Sequence, residues 1–243
     1  MQPRRILITG SEGTIGKVVK KSLKDEGYNL VLLDKEAENP VDLLTDNLTP
    51  YFEGVDNVFH LAAHASQFIN QEKARENLDM VWRVLEASKN TGVNRIVNAS
   101  SINVHDYNIM YLRGEKLTEE TPIRMNTKVI WTAGEAKPFY AYAKIFGETG
   151  VNACHNRYGM HGLNLRFGAV YPEDEPWTDE PDNFAIWLSH HDLGEIAKRA
   201  VNFEGLASIV CVSNNSERFV DLAPIQKALG YTPESDSAKY RKS

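Results

Sequence analysis

Ile6-Leu7-Ile8-Thr9-Gly10-Ser11-Glu12-Gly13-Thr14-Ile15-Gly16 decides the fold of this chain. An apolar run passes into a turn with glycines at 10, 13 and 16, and a helical pattern follows at once. Strand, glycine turn and helix in that order form a dinucleotide-binding fingerprint. Gly10 permits the tight turn, Gly13 lets a pyrophosphate approach backbone N–H groups, and Gly16 lets the helix lie close to the strand. Thr14 and Ile15 open the helix, whose positive end then faces the phosphates. A Walker phosphate loop is the competing pattern, because Gly16-Lys17 ends the run. It fails: the first glycine stands one residue too far away, and Val18 takes the place of the magnesium-binding Ser or Thr.

Outward from this turn, short apolar segments alternate with helical patterns. Strands are expected at Arg4–Thr9, Asn29–Leu33, Asn57–Leu61, Arg95–Ala99, His161–Phe167 and Ser208–Ser213. Helices are expected at Thr14–Glu26, Gln71–Thr91, Tyr140–Tyr158 and Asp192–Phe203, with a shorter one near Leu222–Leu229. Such alternation implies parallel βαβ crossovers. The expected fold is α/β, a doubly wound parallel sheet of Rossmann type with a small C-terminal substrate cap. Residues 1–243 are expected to form one dinucleotide-binding domain, with substrate-binding segments at about 102–139 and 168–243. The irregular span Ile102–Phe139 is long for a compact domain and belongs near a site. The acidic, proline-containing stretch Pro172–Asn183 is a second candidate substrate loop.

Composition, 42% hydrophobic and 25% charged, is that of a soluble globular protein. A net charge of −6 argues against a nucleic-acid partner or an anionic membrane. No apolar run approaches the roughly 18 residues of a membrane span. Arg4-Arg5 leads straight into the first strand, so no secretory leader is expected. Cys154 and Cys211 suggest neither a disulfide framework nor a zinc site and read as buried free thiols. The expected location is the cytoplasm.

Asp34 follows the second strand. An acid there accepts both ribose hydroxyls of an adenosine and repels a 2′-phosphate, which favours NAD over NADP. Lys35 next door works against that discrimination. Ser189-His190-His191-Asp192 reads as a helix start capped by Ser189 or Asp192, since adjacent histidines face different ways and no further ligands follow at regular spacing; no metal site is expected. His60 reads as a structural residue at a strand end, whereas His64 and His105 could reach a substrate hydroxyl.

Three elements together carry a family resemblance: the spacing Gly10-x-x-Gly13-x-x-Gly16, the segment Asn98-Ala99-Ser100-Ser101 ending an apolar strand, and Tyr140-Ala141-Tyr142-Ala143-Lys144. They resemble the extended short-chain dehydrogenases/reductases, the NAD-dependent epimerase/dehydratase family, over residues 4 to about 230. The resemblance implies a catalytic set of Ser101, Tyr140 and Lys144, with the second serine of the pair at the reacting position. Tyr140 and Lys144 stand four apart on one helix face. A cation near the phenol favours its ionised form, so Tyr140 can act as the base, and Lys144 can also bond the nicotinamide ribose. Tyr142 has Phe146 four residues on and gets no such help. The resemblance further implies that Asp42 takes the adenine amine, that Leu43 packs on its ring, and that Leu61, Ala62 and Ala63 pass close to the cofactor. It gives Asn77 a structural or cofactor-positioning role. It also implies a homodimer or higher homo-oligomer through Gln71–Thr91 and Tyr140–Tyr158, where Leu78, Val81, Trp82 and Leu85 recur at helical spacing.

Late segments narrow the expectation. Leu165-Arg166-Phe167-Gly168-Ala169-Val170-Tyr171-Pro172 resembles a segment of nucleotide-sugar epimerases and dehydratases, but Ala169 replaces the usual Asn. Trp187–Asp192 and Ala228–Pro233 are similar to uronate dehydrogenases and related NAD-dependent sugar and sugar-phosphate dehydrogenases, which oxidise the C1 hydroxyl to a lactone. The expected function is that oxidation, by hydride transfer to NAD, of a sugar, uronate or sugar phosphate. The alternative is an epimerase or dehydratase with tightly held NAD. An NAD(H)-sensing regulator is disfavoured by the intact Tyr/Lys pair. Uronate dehydrogenases clamp the carboxylate with an arginine before Trp-x-Ser-His, yet Pro172–Trp187 has neither Arg nor Lys. Arg113, Lys116, Arg124 and Lys128 are the candidates to replace it or to bind a phosphate.

Overall fold

The computed structural model describes residues 4–66, 69–124, 136–177 and 181–241. Six strands, β1 (Arg5–Thr9), β2 (Asn29–Leu33), β3 (Asn57–His60), β4 (Arg95–Ser101), β5 (His161–Phe167) and β6 (Leu206–Cys211), form one sheet in the order β2-β1-β3-β4-β5-β6. Every pairing is parallel. The chain leaves β1 toward β2 on one side and returns to β3 on the other, so a crevice opens at the carboxyl ends of β1 and β3. This is the Rossmann-type doubly wound sheet.

The central strands read as near-continuous apolar runs because helices cover both faces. Alternate residues supply two cores. Ile6, Ile8, Phe59 and Val97 pack on one face with Val19 and Leu23 of helix α1 (Thr14–Asp25). Leu7, Val58 and Ile96 pack on the other with Val84 of α3 (Gln71–Thr91) and Val151 of α5 (Ala136–Tyr158). A short α2 (Thr49–Phe52) precedes β3. Helix α3 starts at Asn70, whose side chain accepts from Lys73 N, and stops at Gly92 in the left-handed region.

Several boundaries differ from the sequence reading. β4 continues past Ala99 to Ser101 because its ladder with β5 continues, pairing Ser101 with Phe167. β6 begins at Leu206 for the same reason, since Gly162 of β5 pairs there. The span after β4 is less irregular than its sequence suggests. It holds a 3₁₀ turn at Ile102–Val104 and helix α4 (Tyr107–Leu112). Helices α6 (Pro181–Ile186), α7 (His190–Ala200) and α8 (Ala223–Leu229) complete the chain, with a last 3₁₀ turn at Ser237–Tyr240. Among the described residues, no helix is long and apolar enough to cross a membrane.

Candidate active site

A cleft of about 960 Å³ runs along the carboxyl edge of the sheet, from Asp34 beyond β2 to Trp177 beyond β5. At one end it is lined by Gly10, Gly13, Thr14, Ile15, Gly16, Asp34, Asp42 and Leu43. Leu61, Ala62 and Ala63 line its middle, and Ser101, Tyr140 and Lys144 its far half. Residues 134 positions apart in sequence therefore face one space.

The glycines differ in what the protein asks of them. Gly10 has φ +70°, and a Cβ there would stand 2.7 Å from the Ala62 backbone. A Cβ on Gly16 would stand 2.0 Å from the Gly10 carbonyl oxygen. Both positions require glycine for the fold. A Cβ on Gly13 would meet only the Gly10 oxygen, at an ordinary 3.5 Å. Packing within the protein does not demand glycine at 13, and the space beside it is open to the cleft. The N-terminus of α1 agrees with an anionic group, having no side-chain cap and no acidic residue in its first turn. These residues fit a dinucleotide.

Neighbouring strands hold the cofactor end in shape. Thr9 Oγ1 accepts from Leu61 N at 3.1 Å and Ala62 N at 3.2 Å. Its lone pairs filled, the hydroxyl donates to His60 Nδ1 at 2.9 Å. His60 is thus a buried strand-end residue. Burial, and then the Lys144 charge, push its pKa down to about 3. Asp34 Oδ2 accepts from Glu12 N and Oδ1 from Glu36 N, both at 2.9 Å. A carboxylate has about four acceptor sites, which leaves room for two ribose hydroxyls. Asp42 Oδ1 accepts from Leu44 N at 2.8 Å. Asn77 is buried and takes His64 N at 2.7 Å, fixing the segment after β3.

At the other half, Tyr140 sits in the second turn of α5, which begins at Ala136, ahead of the expected start. Lys144 Nζ donates to the Ala99 carbonyl at 2.7 Å and lies 5.4 Å from the centroid of the Tyr140 ring. Burial pushes the Lys144 ammonium down to about 8. Burial also raises the Tyr140 phenol to about 12, against a hydrogen bond with Ser101 that favours the phenolate. This direction is opposite to the lowering that the Tyr140/Lys144 spacing predicts. Desolvation outweighs the Ser101 hydrogen bond, the interaction that favours the phenolate here.

Residues 6–195 match the NAD dependent epimerase/dehydratase family. The chain belongs to that family. It is similar to the L-arabinose 1-dehydrogenase (NAD(P)(+)) of Haloferax volcanii, 30% identical over 96% of this chain and 98% of the relative. It is also similar to the uronate dehydrogenase of Pseudomonas putida, 26% identical over 98% of this chain and 86% of the relative. The solved glucuronic acid dehydrogenase of Chromohalobacter salexigens shares the fold, with TM-score 0.81 and 23% identity, covering 98% of this chain and 87% of that one.

Several family-segment residues do something sequence reasoning missed. Glu148 lies one turn beyond Lys144 and accepts from Ser100 Oγ at 2.5 Å, Arg166 Nε at 2.8 Å and Arg166 Nη2 at 2.7 Å. One buried carboxylate thereby ties the helix of Tyr140 and Lys144 to β4 beside Ser101 and to β5. Arg166 Nη1 in turn donates to His105 Nε2 at 3.1 Å, so His105 Nδ1–H donates to the Pro122 carbonyl at 3.3 Å. His105 is buried and held neutral, its pKa pushed down to about 4 by burial and by Arg166. It anchors a loop and lies off the cleft. His64 does line the cleft and pairs with Glu76, Nε2 to Oε2, at 2.5 Å.

The Trp187–Asp192 segment is structural. Ser189 caps α7, accepting from Asp192 N at 3.0 Å. Asp192, fully buried, accepts from Ser213 Oγ and Tyr231 OH at 2.5 Å and from Glu234 N at 2.9 Å. His190 Nε2 donates to the Tyr171 carbonyl at 2.8 Å, and its backbone N–H donates to Asp174 Oδ1 at 2.7 Å. That holds the loop on which the Tyr171 and Trp177 rings meet, tilted at 41° with 4.9 Å between centroids. Among the described residues no cluster of His, Cys, Asp or Glu could hold a metal. The candidate clamps fare poorly: Arg113, Lys116 and Arg124 are exposed and lie off the cleft, and Lys128 lies outside the described residues.

Proposed function

We propose that this protein is an NAD-dependent oxidoreductase that oxidises the C1 hydroxyl of a free aldose to the lactone. The observation that carries the reading is the convergence of Ser101, Tyr140 and Lys144 on the cleft that also holds the glycine turn. Gly10, Gly13, Thr14, Ile15, Gly16, Asp34, Asp42, Leu43, Leu61, Ala62 and Ala63 would hold NAD, which supplies the hydride acceptor. Tyr140 takes the proton of the C1 hydroxyl, Ser101 donates a hydrogen bond to the reacting oxygen, and Lys144 supplies positive charge beside the phenol. Asp34 favours NAD over NADP.

A neutral sugar ranks ahead of a uronate or sugar phosphate. The substrate end presents Tyr107, Tyr171, Trp177 and Asn183, aromatic faces and an amide suited to C–H and hydroxyl groups. Among the described lining residues, the cations are Lys35 at the adenosine end and Lys144 at the base. The similarity to an L-arabinose 1-dehydrogenase over nearly the whole length of both chains supports the same choice. A panel of aldoses, uronates and hexose phosphates followed by NADH absorbance tests it. NADH from uronates or phosphates but not aldoses would overturn the substrate, and firmly retained NAD with no NADH released would favour the epimerase alternative.

We further read the chain as one domain, cytoplasmic, acting as a homodimer. Trp82 is 61% exposed on α3, and Tyr142 and Phe146 are exposed on the adjoining α5. Val81 and Leu85, counted with Trp82 at the sequence level, are instead buried in the core. The dimer reading therefore rests on Trp82, Tyr142 and Phe146, and a monomer by light scattering at micromolar concentration would rule it out.

A further inference from the structure

The hydroxyl of Ser101 is the smallest group in the catalytic set and the one whose direction matters most. A serine hydroxyl has one proton to give and two lone pairs to fill. Asn103 fills both. Its backbone N–H donates to Ser101 Oγ at 3.2 Å, and its side-chain Nδ2–H donates to the same oxygen at 3.0 Å. Ser101 is almost wholly buried, so water offers no competing acceptor on the inner side. The remaining direction is outward, to Tyr140, with which Ser101 is hydrogen-bonded. Asn103 itself is half-buried at the cleft wall, in the 3₁₀ turn that Ser101 opens.

We propose that Asn103 is a positioning residue that makes Ser101 a donor, never an acceptor, its one proton aimed at Tyr140 in the free enzyme and at the reacting oxygen once the sugar is bound. The inference rests on the catalytic reading of Ser101 and Tyr140 given above. A donor aimed at the phenol oxygen stabilises its ionised form and opposes the effect of burial. Without the Asn103 amide, the Ser101 hydroxyl regains a free lone pair and can accept from the neutral phenol, which favours the protonated, inactive base.

The sign of the effect follows. In Asn103→Ala the phenolate loses support, so the acid limb of the kcat profile moves to higher pH, by about one unit. Turnover at neutral pH falls about tenfold and recovers as pH rises. KM for the sugar and affinity for NAD stay as in the parent. In a Ser101→Ala background, adding Asn103→Ala has no further effect, because Asn103 acts only through that hydroxyl. A readout free of turnover comes from protein labelled with 3-fluorotyrosine, whose ionisation is followed by fluorine NMR. The resonance missing in Tyr140→Phe identifies Tyr140, and its titration should shift upward in Asn103→Ala. The proposal is overturned if that titration is unmoved, if activity falls equally at all pH values, if KM alone rises, or if the loss persists in the Ser101→Ala background. Failure of the underlying reading looks different: Tyr140→Phe would keep its turnover, or no sugar would yield NADH, whatever the fluorine titration shows.

Discussion

The two ends of the cleft are built in different ways. At the cofactor end, shape comes from backbone: glycines at 10, 13 and 16, small residues at 62 and 63, and a helix N-terminus. At the substrate end, shape comes from side chains that reach across the sheet. Glu148 holds Arg166, Arg166 holds His105, and His105 holds the loop at Pro122. His190 holds the Tyr171–Trp177 loop. A backbone cradle recognises one ligand class and tolerates little change. A loop held by single hydrogen bonds can be retuned without touching the cofactor. If that division is real, substitutions should separate cleanly into those that move NAD binding and those that move only chemistry or sugar.

The largest separation is expected at Tyr140. Tyr140→Phe removes one oxygen and should lower turnover by about 10² to 10⁴ while leaving NAD affinity nearly unchanged. Tyr142→Phe, two residues away and exposed, should be silent in the chemical step. Stopped-flow turnover and calorimetric NAD titration check both. Turnover near normal in Tyr140→Phe would mean the catalytic centre lies elsewhere.

Next comes Asp192, which holds the C-terminal segment to α7 and touches neither ligand. Burial alone would raise its pKa, but hydrogen bonds from Ser213, Tyr231 and the Glu234 and Ser235 N–H groups outweigh burial and hold it below the ordinary value. A depressed folded pKa contributes stability above the unfolded value of 3.8, and that stability is lost as pH falls through the folded pKa. Asp192→Asn should destabilise by about 3 kcal/mol in urea unfolding at neutral pH, and its deficit should shrink in acid. A deficit constant down to the acid range would show that the carboxylate charge is not what the network needs.

Asp34→Ala tests the opposite end. It removes two acceptor oxygens and the repulsion of a 2′-phosphate, so the preference for NAD over NADP should narrow by about tenfold. Sugar KM should not follow. Preference unchanged in the variant would transfer the discrimination to another residue of the turn.

This division also explains what was legible in the sequence. Gly10, Gly13 and Gly16 recur at a fixed short spacing, Asp34 ends a strand, and Tyr140 and Lys144 share one helix face, so local pattern exposes them. The β4 serine was legible by its place at a strand end. The supports were not. Glu148 finds Arg166 18 residues on, and Arg166 finds His105 61 residues back. Thr9 meets His60 across 51 residues. No local period marks such pairs: the parallel register brings Thr9 to His60, and the packing of α5 and of the turn after β4 against β5 brings Glu148 and His105 to Arg166. His105 is ambiguous in the sequence for the same reason: an isolated histidine in an irregular span carries no sign that an arginine will fill its ring nitrogen.

The smallest expected effect belongs to His190, and it is the sharpest probe of the comparison. Its ring donates to the Tyr171 carbonyl, while its backbone N–H donates to Asp174 Oδ1. His190→Ala keeps the second bond and loses the first. Asp174 sits at φ +59°, so the turn it makes depends on outside contacts to stay in place. Loss of one neutral hydrogen bond weakens the loop by about 1 kcal/mol. The Tyr171–Trp177 pair then spends less time in the conformation that lines the cleft, and the sugar must restore it on binding. KM for the sugar should rise about threefold to tenfold, with kcat and NAD affinity close to the parent. The rise should be absent in a Trp177→Ala background, where the loop has no ring to present. A fall in NAD affinity instead would show that the loop serves both ends of the cleft, and the division drawn between a backbone-built and a side-chain-built end would have to be abandoned.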